Sequence, residues 1–143
     1  MLLGILGEAG QVRAGLTALR LHDAPTRMND DEPQYSLTQN QFRPVDCHGK
    51  RLKPFNAVPR DMLVSWCASY ASEVLGLASP DEAGREVDAY TERDSHRVLV
   101  DGEDPVAMTG FNAMTPDCVQ VGGVFTPRNK RGRGYASLSL IHI

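Results

Sequence analysis

The stretch that most limits how this chain can fold lies at residues 119–136. Val119-Gln120-Val121-Gly122-Gly123-Val124-Phe125-Thr126-Pro127 is followed by Arg128-Asn129-Lys130-Arg131-Gly132-Arg133-Gly134-Tyr135-Ala136. Branched and aromatic side chains suit a pleated, half-buried surface, so Val119, Val121, Val124 and Phe125 predict a buried strand with Pro127 marking its exit. The Gly122-Gly123 pair inside it predicts a bulge or the close approach of another backbone. A basic glycine loop and the first turn of a helix come next. Gly132 and Gly134 remove side chains where successive amides can converge on an anion, and Lys130, Arg131 and Arg133 add positive charge. The first N–H groups of a helix lack internal partners and sit at the positive end of its dipole. Together these parts read as a cradle for a phosphate or pyrophosphate.

Rival readings of the same stretch exist. A dinucleotide or nucleoside-triphosphate loop requires Gly-x-Gly-x-x-Gly or Gly-x-x-x-x-Gly-Lys-Ser/Thr, and neither is present. Arg128 to Arg133 is a local basic run of the kind that contacts nucleic acid. The whole chain carries a net charge of −3, however, which gives no electrostatic case for nucleic acid or a membrane surface. A solvated basic loop is the remaining bland reading.

Arg131-Gly132-Arg133-Gly134-Tyr135-Ala136 resembles the Arg/Gln-x-x-Gly-x-Gly/Ala signature of the GNAT superfamily of N-acetyltransferases, and Val124-Phe125-Thr126-Pro127 resembles the strand leading into that loop. The resemblance reaches back to about Lys53. It implies a mixed α/β fold with a mainly antiparallel sheet flanked by helices. It also implies acetyl-CoA as acyl donor and an amine-bearing small molecule, protein or peptide as acceptor. Arg131, Gly132, Arg133, Gly134, Tyr135 and Ala136 would hold the cofactor's pyrophosphate. Val124, Phe125 and Thr126 would offer a strand edge to its pantetheine arm, and the N–H of Val124 would polarise the thioester carbonyl. An amine nucleophile must first lose a proton, usually to a carboxylate or a water chain. Gln120 cannot accept one and Asp117 reads as a turn residue. The tyrosine that protonates the leaving thiolate in many family members lies beyond the fourth helix, past the end of this chain. No catalytic residue is therefore assigned. A non-catalytic module that binds acyl-CoA or a partner is the alternative, and a nucleic-acid-binding loop ranks third.

Elsewhere the signals are local. Leu2, Leu3, Ile5 and Leu6 form an apolar run of strand length. That run is too short to span a membrane and lacks the basic start and cleavage site of a signal peptide. Val12, Leu16 and Leu19 recur at helical spacing over Gln11 to Leu21, and Gln34 to Thr38 alternates like a strand. Residues 1–45 are read as the remnant of a preceding, loosely GNAT-like unit with its linker. Arg43-Pro44-Val45-Asp46-Cys47-His48-Gly49-Lys50 has linker chemistry, and residues 46–143 form the acetyltransferase domain, expected to be incomplete at its C-terminus. Cys47-His48 has no second pair at ligand distance, so no metal is expected. Cys67 and Cys118 sit in apolar segments and are expected to be buried thiols, with a reducing cytoplasm as the simplest compartment.

A first strand is predicted over Leu52 to Phe55. A helix follows with Pro59 at its first position, Val58 as a poor cap, and Met62, Leu63, Trp66, Tyr70, Val74 and Leu77 on one apolar face ending at Gly76. Ser79-Pro80-Asp81-Glu82 is a capping box opening a second helix that runs to about Arg93, with Ala83, Val87 and Tyr90 as its sparse apolar side. In GNAT domains the two helices after the first strand help shape the acceptor site, so the resemblance implies an approach of Glu73, Glu82, Glu86 and Asp88 to an amine, although solvated helix faces explain them better. His96 to Val100, an Asp101–Asp104 turn, Pro105 to Met114 and a Thr115–Asp117 turn complete an antiparallel meander. This meander resembles the second and third strands of GNAT domains. His96 is expected to be half-exposed in its strand. Ser137 to Ile143, rich in serine and branched residues, is expected to be a poor and doubtfully native helix continuation.

Overall fold

Alternating apolar residues joined by turns of a few residues permit only antiparallel pairing, and that is how residues 96–125 fold in this computed structural model. It describes residues 4–26, 29–43, 45–76 and 79–143; the expectations placed on Leu2, Leu3, Pro44 and Leu77 lie outside the described residues. The chain divides into two compact units, Met1–Phe42 and Arg43–Ile143. In the first, α1 (Ala9–Ala18) is capped by Glu8, whose carboxylate accepts the Gly10 and Gln11 amides at 3.0 and 2.9 Å. No described residue of this unit is fully buried. Gln34 to Thr38, expected as a strand, is exposed and forms none. Alternation alone does not hold a strand that has no described neighbour to pair with.

The second unit is a mixed α+β fold. Its sheet has the spatial order β1 (Arg51–Pro54), β2 (His96–Asp101), β3 (Asp104–Met114), β4 (Val119–Phe125), with every neighbouring pair antiparallel. Between β1 and β2 the chain forms α2 (Arg60–Leu75) and α3 (Pro80–Glu92), and after β4 it forms α4 (Tyr135–Ile141). Phe55, Leu63, Trp66, Cys67, Ala83 and Val87 pack against Val98, Val100, Met108 and Phe125. Leu99, Val106, Ala107 and Tyr135 gather separately, with Leu52 and Leu138 beside them. Val98 and Val100 thus belong to one layer and Leu99 to the other, the period of two that a strand imposes. Val106 and Ala107 are consecutive yet share a layer, because the β2–β3 register shifts by one between Leu99 and Val100. Each fully buried Val, Leu or Phe stabilises such a core by about 1.5–3 kcal/mol.

The helix boundaries show where local chemistry decides. Pro59, at φ −57° and ψ 129°, is the cap of α2 and Arg60 its first residue, one position later than expected; no side chain bonds the free amides there. Gly76 closes α2 in the left-handed conformation at φ 65°, the geometry that glycine adopts without steric cost. Leu63 and Trp66 are buried as expected, whereas Val74 is 60% exposed and Cys67 takes up the core position. Ser79 accepts the Glu82 amide at 3.4 Å and Pro80 opens α3.

Three further expectations are corrected. Cys118 is exposed, because it sits in the β3–β4 turn with its amide bonded to Thr115. Val119 and Val121 are 47% and 43% exposed, so only the second half of β4 is buried. The serine-rich tail is helical through Ile141. Ser139 is fully buried and its hydroxyl donates to the Ala136 carbonyl at 2.8 Å. Packing of Tyr135 and Leu138 on the sheet outweighs a weak intrinsic propensity there.

Candidate functional site

Where β4 ends, the chain must leave the sheet and return across it as α4, and a cavity of about 290 Å³ opens at that bend. Its wall is formed by Val124, Phe125 and Thr126 of the strand end, Arg131, Gly132 and Gly134 of the loop, Tyr135 and Ala136 of α4, and Tyr70, Glu73 and Val74 of α2. Every residue placed at the site from sequence therefore lines it, except Arg133, which is exposed to solvent. The α2 wall is made by residues distant in sequence, and the sequence signal that groups Tyr70, Glu73 and Val74 is their helical spacing alone.

The glycines matter for conformation. Gly132 and Gly134 both have φ 76°, and nothing lies within 4 Å of a Cβ built on either. Left-handed backbone, and no packing contact, is what requires glycine at both. The Gly122-Gly123 pair lies at the bulge expected there, where β4 carries an extra residue between Gly122 and Phe125. A Cβ on Gly122 would lie 2.0 Å from the Asn112 amide group, and one on Gly123, at φ 62°, 2.6 Å from Nε2 of His96. Side chains, not another backbone, come close. The β3–β4 register shifts here, between Met108 and Gly110 and again between Phe111 and Ala113.

Three of the four cations of the loop, Arg128, Lys130 and Arg131, are already partnered. Arg131 donates from Nε to the Thr126 carbonyl at 2.8 Å and from Nη2 to Glu73 Oε2 at 2.7 Å, with its guanidinium 5.7 Å from the Phe125 ring centroid. Arg128 Nε donates to the other Glu73 oxygen at 3.1 Å. The Arg131 and Arg128 hydrogen bonds hold the Glu73 carboxyl below the usual carboxylate range. Lys130 reaches Asp104 at 2.5 Å and the Pro105 carbonyl at 3.0 Å, which ties the loop to the start of β3. The Tyr135 hydroxyl donates to Asp101 Oδ2 at 2.9 Å. Thr126 Oγ1 is buried without a hydrogen-bond partner. Of the other carboxylates considered, Asp88 is held by Arg60 in a two-bond pair away from this cavity.

His96 is not half-exposed but wholly buried. Its ring stacks on Tyr90 with centroids 3.7 Å apart, Nδ1 lies 2.9 Å from the Ser95 hydroxyl, and Nε2 has no partner. Burial, with Arg93 and Arg97 nearby, pushes its pKa down to about 4, so the ring is neutral at physiological pH. The absence of a Cβ on Gly110 and Gly123 makes the space it fills.

Among the described residues no three His, Cys, Asp or Glu side chains converge as metal ligands, and no helix is long and apolar enough to cross a membrane. In comparisons with known proteins, no family model, curated protein or solved structure matches this chain.

Proposed function

We propose that residues 46–143 form the acyl-CoA-binding part of a GNAT-type N-acyltransferase that moves an acetyl group from acetyl-CoA to an amine. The observation that carries this reading is the cavity at the end of β4, where an edge strand, two left-handed glycines and a guanidinium converge. An edge strand has main-chain groups directed away from its neighbour, which suits the amides of a pantetheine arm. The open space around Gly132 and Gly134 lets a diphosphate approach the loop backbone without meeting a side chain. About 290 Å³ is near the lower end of small-molecule pockets.

In the reaction the amine nitrogen attacks the thioester carbon, the new C–N bond replaces the C–S bond, and coenzyme A leaves as a thiolate. One proton departs from the amine and one is taken up by the thiolate sulfur. Val124, whose N–H belongs to the strand lining the cavity, is the residue assigned to polarise the carbonyl oxygen. Binding of acyl-CoA without transfer is the second reading. It is favoured by the state of Glu73, the one carboxylate among the described residues lining the cavity, which is engaged by two arginines and not free to take a proton. Calorimetric titration with coenzyme A tests the binding common to both readings. Gly134→Asp, which strains the loop and places an anion on it, abolishes binding if the cavity is the site; an unchanged affinity refutes it. Thiol release from acetyl-CoA across a panel of amines then separates transfer from binding.

A further inference from the structure

Ion pairs from Glu73 in the cavity wall link α2 to Arg131, which also lines the cavity, and to the exposed Arg128 of the same loop, 58 and 55 residues away in the chain. Glu73 offers one oxygen to each of two guanidiniums, the arrangement an anionic ligand would otherwise take. Arg131 cannot swing aside freely, because its Nε is bonded to the Thr126 carbonyl and its face lies over Phe125. Glu73 and Arg131 both line the same cavity as Gly132 and Gly134. The Glu73 side chain is 28% exposed and that of Arg131 44% exposed, so water can reach the pair and exchange does not require the core to open.

We infer that Glu73 is a built-in counter-anion that occupies the two loop arginines and thereby restricts entry to ligands carrying more than one negative charge in a single group. Two guanidiniums and one carboxylate leave the cluster with a single positive charge. A singly charged anion that displaces Glu73 only restores that balance, and it competes with a tethered carboxylate whose effective concentration is of millimolar order or more. A diphosphate bridges both guanidiniums and still carries charge to spare, so exchange favours it. Glu73 therefore acts through Arg128 and Arg131 as a specificity-determining positioning residue. This inference rests on the acyl-CoA reading of the cavity and adds the gate that would select a diphosphate-bearing ligand.

The test is calorimetric titration of the full chain, its Glu73→Gln variant and its Glu73→Asp variant with inorganic pyrophosphate, dimethyl phosphate (a singly charged phosphodiester) and coenzyme A. Thermal melts establish that each variant is folded. In Glu73→Gln the affinity for pyrophosphate rises roughly tenfold, dimethyl phosphate becomes a measurable ligand, and the preference between the two shrinks. Glu73→Asp restores the preference of the parent, which a purely structural role for the side chain would not predict. An unchanged ratio of the two affinities in Glu73→Gln, or a weakening of both, overturns the inference. If coenzyme A binds all three proteins equally, the acyl-CoA reading stands and the gate alone falls. If none of the folded proteins binds pyrophosphate or coenzyme A, both fall together.

Discussion

Replacing Gly110 with alanine should be among the most costly single-methyl additions in this protein. The new Cβ would lie 2.3 Å from both Cγ and Cδ2 of His96. Carbon atoms settle at about 3.5–4.0 Å, so the ring would have to retreat by more than about 1 Å. It has nowhere to go: Tyr90 is stacked on it at 3.7 Å, Phe55 lies 5.4 Å away centroid to centroid, and Gly123 closes the Nε2 end. Overpacking of a well-filled core costs about 1–3 kcal/mol, and a ring held on these sides puts Gly110→Ala near the top, at about 3 kcal/mol. In a chain of this size that lowers Tm by about 10 °C. Equilibrium urea unfolding at pH 7.5, followed by the fluorescence of Trp66, measures it. The decisive comparison is a double-mutant cycle with His96→Ala. Once the ring is gone, Gly110→Ala should cost no more than about 0.5 kcal/mol, which leaves a coupling of about 2.5 kcal/mol. A loss below about 1 kcal/mol in the parent, or the same loss in both backgrounds, refutes the packing argument.

His96 also sets a pH dependence. Its folded pKa of about 4 lies below the ordinary value, so the unfolded chain takes up the proton first. Stability therefore falls as pH drops from about 6.5 towards 4, by about 3 kcal/mol in total. Urea unfolding across pH 4–7.5 shows this slope, and His96→Leu removes it whatever its absolute stability. Cys118 should react with a disulfide reagent as soon as it is mixed with the folded protein, whereas Cys67, buried and with its thiol pushed up to about 12, reacts only after unfolding. Cys118→Ser deletes the fast phase. Leu63→Ala, at a side chain 1% exposed, removes core from beneath α2 and should cost about 2–5 kcal/mol in the same unfolding assay.

Features carried by neighbours in sequence were legible, and features made by distant neighbours were not. The meander over residues 96–125 declared itself through alternation and the turn at Gly102. Gly76 and Ser79 marked helix ends because a left-handed C-cap and an N-capping hydroxyl act within one turn. The site residues from Val124 to Ala136 are almost consecutive, so a single bend brings them to one cavity. The burial of His96 was hidden because its space is created by two glycines on other strands. The partner of Arg131 was hidden because Glu73 lies 58 residues earlier. Gln34 to Thr38 failed for the opposite reason: its pattern was local, and a strand requires a partner that no local pattern supplies.

The two slips in the β3–β4 hairpin run in opposite directions and cancel. Met108 faces Phe125 and Met114 faces Val119 in one common frame, while Gly110 and Phe111 meet Gly122 and Val121 displaced by one residue. Because a strand inverts its faces with each residue added or removed, losing one amino acid from either side of this segment would turn part of the hairpin inside out. Losing one from each side would leave the outer frame intact and simply straighten the middle. Length changes here are thus coupled: the hairpin can lengthen or shorten only as a pair of strands, never as one.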